Sequence, residues 1–167
     1  MNLANKITLL RILLIPVFVL FLVWNVKYIA AIIFLLIALT DALDGYIARK
    51  RKEVTELGKL IDPLADKLLV SAALIFLIGK GMPAWMVFLI ISREFAVTGL
   101  RVLAASKHGS IIHASKLGKA KTISQFVGII AVIIGLRYSW ILMLAATLFT
   151  VVSGVDYFIK NRKVFHI

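Results

Sequence analysis

The sequence predicts an all-α, polytopic integral membrane protein of six transmembrane helices, and three observations carry that prediction. Apolar residues make up 62% of the 167, more than a soluble chain of this size has interior to hide, so the surplus must face lipid. Six largely apolar runs follow one another with short connections, each near the ~20 residues that a helix needs to cross a bilayer. The basic residues favour every second connection. With both termini on one side, fifteen of the 20 Lys and Arg fall on that side, three on the other (Lys27, Lys80, Arg137) and two, Lys67 and Arg93, within spans. This is the bias of a chain whose termini are both cytoplasmic in the cell membrane.

The first span, 9–26, follows Lys6 and Arg11 and contains Pro16. No small-x-small cleavage pattern follows it, so it reads as a retained helix rather than a signal peptide. Span two, 28–48, is free of charge from Tyr28 to Thr40 and then meets Asp41 and Asp44. Span three, 59–79, begins with Asp62, Asp66 and Lys67 and is free of charge from Leu68 onward; Pro63 suits a kink or the first turn of a helix. Span four, 84–105, stays uncharged up to Ser92 and then carries Arg93 and Glu94. Spans five and six, 120–140 and 140–160, complete a single domain over 1–167, with Asp156 late in the last. Gly128, Gly135 and Gly154 in these spans read as close-packing positions. Trp24, Trp85 and Trp140 all fall at the sparsely charged ends, as an interfacial aromatic belt requires.

The uncharged parts of spans two to four are about 20 Å long as helices, short of a hydrocarbon core of about 30 Å. Their remaining, ionisable ends all lie on the cytoplasmic side. Asp41, Asp44, Asp62, Asp66, Arg93, Glu94 and Lys121 are therefore expected at similar depth, around a polar cavity open to the cytosol. Arg11 and the basic run at 50–52 read as topology and headgroup contacts, and His108, His113 and His166 as solvated or interfacial. The chain has no cysteine, which excludes disulfides, thiolate metal sites and cysteine nucleophiles. Basic residues interleaved with long apolar runs do not make a nucleic-acid-binding module.

Six of the eight acidic residues, four of them aspartates, lie in the stretch TDALDGYIARKRKEVTELGKLIDPLADK. Asp41 and Asp44 are three apart and Asp62 and Asp66 four apart, so each pair shares a helical face. An aspartate at the centre of a membrane helix costs about 2.5–3.5 kcal/mol. Four left uncompensated approach the whole stability of a domain, about 10 kcal/mol, so something positive must occupy the site. Eight hard oxygens suit Mg²⁺ or Mn²⁺, and four carboxylates can hold two such ions, an arrangement fitted to displacement at phosphorus. Gly45 and Gly58 allow close approach of a bulky polar ligand, Ala48 keeps the face low, and Arg49 offers a planar donor fork to phosphate oxygens.

The pattern Asp41-x2-Asp44-Gly45-x2-Ala48-Arg49-x8-Gly58-x3-Asp62-x3-Asp66 resembles the signature of the CDP-alcohol phosphatidyltransferases. Further segments resemble the bacterial branch that makes phosphatidylglycerol phosphate: Asn5 to Arg11 with Pro16, Arg93-Glu94-Phe95 with Gly99 and Arg101, and Gly118 to Thr122. The resemblance implies transfer from CDP-diacylglycerol to sn-glycerol 3-phosphate with release of CMP. It implies Asp41, Asp44 and Asp62 as metal ligands and Asp66 as the base, bordering the second ion. By the same resemblance Gly45, Ala48, Arg49 and Gly58 line the CMP portion beside Asp41, Asp44 and Asp62. The acceptor's phosphate needs cations, with Arg101 and Lys121 the first choices and Arg93 the third. The resemblance also implies a homodimer. Another alcohol acceptor (inositol phosphate, serine or phosphatidylglycerol) fits the same signature, and a small ion transporter is the reading from a different class.

Overall fold

A computed structural model describes the backbone of residues 3–51, 56–108 and 116–162, and side chains at 8–40, 65, 67–102, 118 and 120–162. The described residues form six helices and no strand: α1 Leu3–Val23, α2 Lys27–Arg51, α3 Glu56–Phe76, α4 Ala84–His108, α5 Lys116–Ile134 and α6 Ser139–Lys160. The expected elements are all present, with shifted ends that have local causes. Asn25, at φ 59°, turns the chain between α1 and α2. Helix α3 stops at Phe76 rather than 79, ahead of a turn through Gly79 and Gly81 at φ 77° and 100°.

One sequence expectation is corrected and one open alternative is settled. Gly135 is a helix terminator: at φ 77° it ends α5 six residues before the predicted boundary, and the Leu136 N–H closes the end by donating to the Ala131 carbonyl at 2.9 Å. Pro63 lies inside α3, well past a first turn that begins at Glu56, so its missing N–H falls within the helix. Gly128 is a packing position as expected, since a Cβ there would collide with Met143 of α6.

The chain divides into two compact units. The first comprises residues 1–77 with 133–135. In it α1 packs on both α2 and α3, which also touch each other. Phe18 and Phe34 meet at 5.6 Å between ring centroids in a core shared with Ile15, Leu22, Ile37 and Leu69. Arg11 and Thr8 are buried on α1. The reading of Arg11 as a headgroup contact is thereby overturned: a guanidinium is carried into the fold only where the interior can receive its charge.

The second unit comprises 78–132 with 136–167. Helices α4 and α6 run side by side in the same direction, with Arg93 beside Ser153, and Val97, Leu100 and Arg101 beside Tyr157. Helix α5 runs against them, pairing Lys121 with Glu94 and Gln125 with Thr150.

Polarity is distributed inside-out. On α6 the outer stripe is Leu148, Val152, Val155 and Ile159, each more than half exposed, whereas Thr147, Thr150 and Ser153 on the same helix are at most 2% exposed. Helix α2 shows an outer row of Tyr28, Ile32, Leu36 and Leu39, and α4 one of Phe88, Phe95 and Val102. Water would drive such helices to bury these rows; a hydrocarbon solvent does not. Trp24, Trp85 and Trp140 are also exposed at helix ends. Among the described residues α6 alone is long and apolar enough to cross a membrane unaided. The apolar parts of four others are shorter, at 8–23, 27–40, 67–76 and 120–134.

Leu148, 59% exposed near the middle of α6, tests this solvent assignment. Leu148→Lys would be almost neutral on a water-facing helix. Here it should shift the insertion free energy of α6 unfavourably by about 2.5–3.5 kcal/mol, read as the inserted fraction in a glycosylation-tag translocation assay.

Candidate active site

Candidate site residues occur in each of the two units. In the first unit, Asp41, Asp44, Gly45, Ala48 and Arg49 occupy the later part of α2, and Gly58, Asp62 and Asp66 the earlier part of α3. Both helices continue through these positions, so the three- and four-residue spacings place each aspartate pair on one helical face. The side chains of these residues lie outside the described ones, as do Lys52, His113, Lys163 and His166 altogether. Among the described residues no three His, Cys, Asp or Glu gather into a metal-binding group. The donor set itself is all carboxylate oxygen on two touching helices, chemistry that fits a hard divalent cation and not a soft one.

In the second unit the described side chains form a connected polar interior. The Glu94 carboxylate on α4 accepts a hydrogen bond from the Lys121 ammonium on α5, and both residues are buried. The same oxygen, Oε1, lies 3.5 Å from Arg93 Nη1. Arg93 also donates from Nη2 to Ser153 Oγ on α6 at 2.9 Å. Gln125, one turn beyond Lys121, donates to Thr150 Oγ1 at 2.8 Å, and that hydroxyl donates on to the Ala146 carbonyl at 2.6 Å. The three helices are thus tied pairwise, each tie a hydrogen bond made in a medium where water cannot compete.

Gly154 explains how an arginine reaches this interior. A Cβ at 154 would stand 2.9 Å from Arg93 Cγ, so the bare backbone of α6 gives the arginine stem its channel. Outside that crossing lies a groove of about 420 Å³ between α4 and α6, lined by Leu89, Ala96, Val155, Phe158 and Arg93 among others. Arg93 Nε is buried and has no hydrogen-bond partner among the described residues. Two turns along α4, Arg101 donates from Nε to the Tyr157 hydroxyl at 3.1 Å, with its guanidinium 5.3 Å from the ring centroid. Arg101 is otherwise exposed.

The three cations expected at the acceptor's phosphate therefore sit in one unit and differ in kind. Lys121 is buried and ion-paired, Arg93 is half-enclosed, and Arg101 is exposed but braced by Tyr157. Glu94 pairs with Arg93, its neighbour in sequence, and also with Lys121 across helices. Asp156 pairs with Lys160 one turn on, at 2.8 Å, on the partly exposed end of α6. Sequence reading missed Gln125, Thr150, Ser153 and Tyr157. The available signal was periodic: Thr147, Thr150, Ser153-Gly154 and Tyr157 recur every three or four residues along an otherwise apolar span, a polar stripe too regular for a lipid-facing helix.

Comparison with known proteins gives one family and consistent relatives. A family model described as CDP-alcohol phosphatidyltransferase matches residues 1–152. A CDP-diacylglycerol–glycerol-3-phosphate 3-phosphatidyltransferase of Bacillus subtilis is 46% identical, over 96% of this chain and 95% of its own length. One of the same name from Rickettsia felis is 37% identical over 98% of this chain and 97% of its own. A probable phosphatidylglycerophosphate synthase of Mycobacterium tuberculosis is 42% identical, covering 93% of this chain and 79% of its own.

The Gly154 crossing makes a packing prediction. Gly154→Val drives two methyl groups into the Arg93 stem and should cost about 1–3 kcal/mol of stability. Combined with Arg93→Ala, which empties the channel, the loss should fall clearly below the sum of the two single changes in a denaturation double-mutant cycle. Additive losses would mean that the two side chains do not meet.

Proposed function

Because this chain belongs to the CDP-alcohol phosphatidyltransferase family, we propose that it moves the phosphatidyl group of CDP-diacylglycerol to sn-glycerol 3-phosphate, giving phosphatidylglycerol phosphate and CMP. The observation that carries this reading is similarity over nearly the whole chain to relatives named for that transfer. Asp41, Asp44, Asp62 and Asp66 would hold two divalent cations, Mg²⁺ or Mn²⁺, which when bound neutralise pyrophosphate charge and stabilise the departing CMP.

The chain's own groups do the rest. Gly45, Ala48, Arg49 and Gly58 receive the nucleotide, with the Arg49 fork on phosphate oxygens. The acceptor's primary hydroxyl attacks the β-phosphorus and passes its proton to Asp66, while the bond from that phosphorus to the CMP oxygen breaks. Arg101, Lys121 and Arg93 hold the acceptor's phosphate, so that its hydroxyl is presented in a fixed orientation. Supporting the assignment of these cations is the spare buried donor of Arg93 and the bracing of Arg101 by Tyr157.

The membrane disposition belongs to the same proposal: one domain, six spans, both termini cytoplasmic and a polar cavity at the cytoplasmic side. Its support is the fifteen-to-three division of Lys and Arg and the outward apolar rows. The acyl chains of donor and product then stay in lipid while the soluble acceptor arrives from the cytosol. The active assembly is a homodimer by family resemblance.

Asp62→Asn and Asp66→Asn should each lower CMP release by at least about 100-fold with Mg²⁺ and both substrates present; near-normal turnover in either variant would remove the assigned mechanism. Arg101→Ala should raise the acceptor KM about tenfold while leaving the donor KM nearly unchanged, as loss of one charge-assisted contact to phosphate requires.

A further inference from the structure

We propose that Glu94 is a positioning residue for the acceptor's phosphate: its carboxylate sets the separation and aim of the Lys121 ammonium and the Arg93 guanidinium. The proposal rests on the reading of those two cations as the phosphate-binding groups given above.

The geometry is specific. Lys121 and Arg93 come from different helices, α5 and α4, and both meet a single oxygen, Glu94 Oε1. Two cations brought together in a buried interior repel strongly. With one carboxylate between them the pair carries one net positive charge in place of two, and its spacing is fixed by the shared oxygen. Glu94 needs no substrate contact to do this. It is only 9% exposed and directs its charge inward, to its neighbours.

What the cations are held for follows from the donor the fold leaves unused. Arg93 is fixed at one terminal nitrogen by Ser153 and at the other by Glu94, while Nε is buried with no acceptor among the described residues. A buried guanidinium donor without a partner is an uncommon and costly feature. An anionic oxygen arriving there would complete the set, and a phosphate supplies such an oxygen. An acceptor lacking the phosphate cannot repay that ordering. Glu94 thus serves discrimination between a phosphorylated and an unphosphorylated alcohol.

The test is steady-state CMP release by the full-length protein in phospholipid vesicles, varying glycerol 3-phosphate at saturating CDP-diacylglycerol. The variants are Glu94→Gln, Lys121→Gln and the pair together. Lys121→Gln and Glu94→Gln should each raise the acceptor KM about tenfold, with kcat and the donor KM moving much less. The double variant should fall clearly short of the product of the two single effects, since Glu94 acts in part through Lys121, and should stay above Lys121→Gln alone by the share that passes through Arg93. Glu94→Asp keeps the charge but draws it back by one methylene. It should raise the acceptor KM a few-fold while still folding, so the question stays decidable if the glutamine variant fails to fold.

A raised acceptor KM in Lys121→Gln with none in Glu94→Gln or Glu94→Asp would overturn the positioning role and leave the phosphate site standing. No change in Lys121→Gln would overturn both. A lowered acceptor KM in Glu94→Gln would also overturn the proposal, since it would make the carboxylate a competitor of the phosphate.

Discussion

A charge inside an apolar bundle must be matched there, because neither lipid nor packed hydrocarbon solvates it. That single constraint organises the second unit of this protein. Glu94 and Lys121 could not be buried separately; joined, they tie α4 to α5. Arg93 is carried in beside them only because Gly154 leaves room for its stem and Ser153 gives its guanidinium an acceptor. Gln125 and Thr150 close the remaining side. The apolar residues are displaced to the outside by the same logic, and the lipid they meet there costs them nothing. Polar groups inside and hydrocarbon outside are one arrangement seen from two sides.

The constraint also connects fold to chemistry. Phosphoryl transfer at a membrane needs fixed cations beside a substrate whose tails stay in hydrocarbon. A soluble enzyme would hold those cations in water, at the expense of their strength. Here the ion pair that makes burial tolerable also holds the cations still, so the groups that stabilise the bundle are the groups read as receiving the acceptor. Tyr157 illustrates the double use: it belongs to the apolar cluster with Val97 and Leu100, and its hydroxyl steadies Arg101.

Much of this was legible in the residues, and the reasons differ by feature. Six helices followed from runs of apolar residues, a signal that tolerates errors of several residues at each end. The ends themselves depended on single backbone conformations. Gly135 looked like a packing glycine because sequence alone cannot distinguish a φ of 77° from a helical one, and the same blindness left Pro63 open between a kink and a first turn. The acidic signature was legible because its spacing is rigid. The partner of Glu94 on α5, Lys121, is 27 residues away, and that pairing depends on how α4 and α5 cross. Arg11 was misread for a related cause. A cation near a terminus fits a headgroup contact by position, and only the packing of α1 on two helices shows it enclosed.

The central claim is that this carboxylate-and-cation interior serves transfer of a phosphatidyl group to a phosphorylated alcohol. The most direct measurement is CMP release by the purified protein in vesicles containing CDP-diacylglycerol, offered separately glycerol 3-phosphate, glycerol, serine, inositol phosphate, phosphatidylglycerol or no acceptor. Rapid CMP release is expected with glycerol 3-phosphate alone, matched mole for mole by phosphatidylglycerol phosphate. Equal release with any other acceptor, or no CMP from any of them, would contradict it.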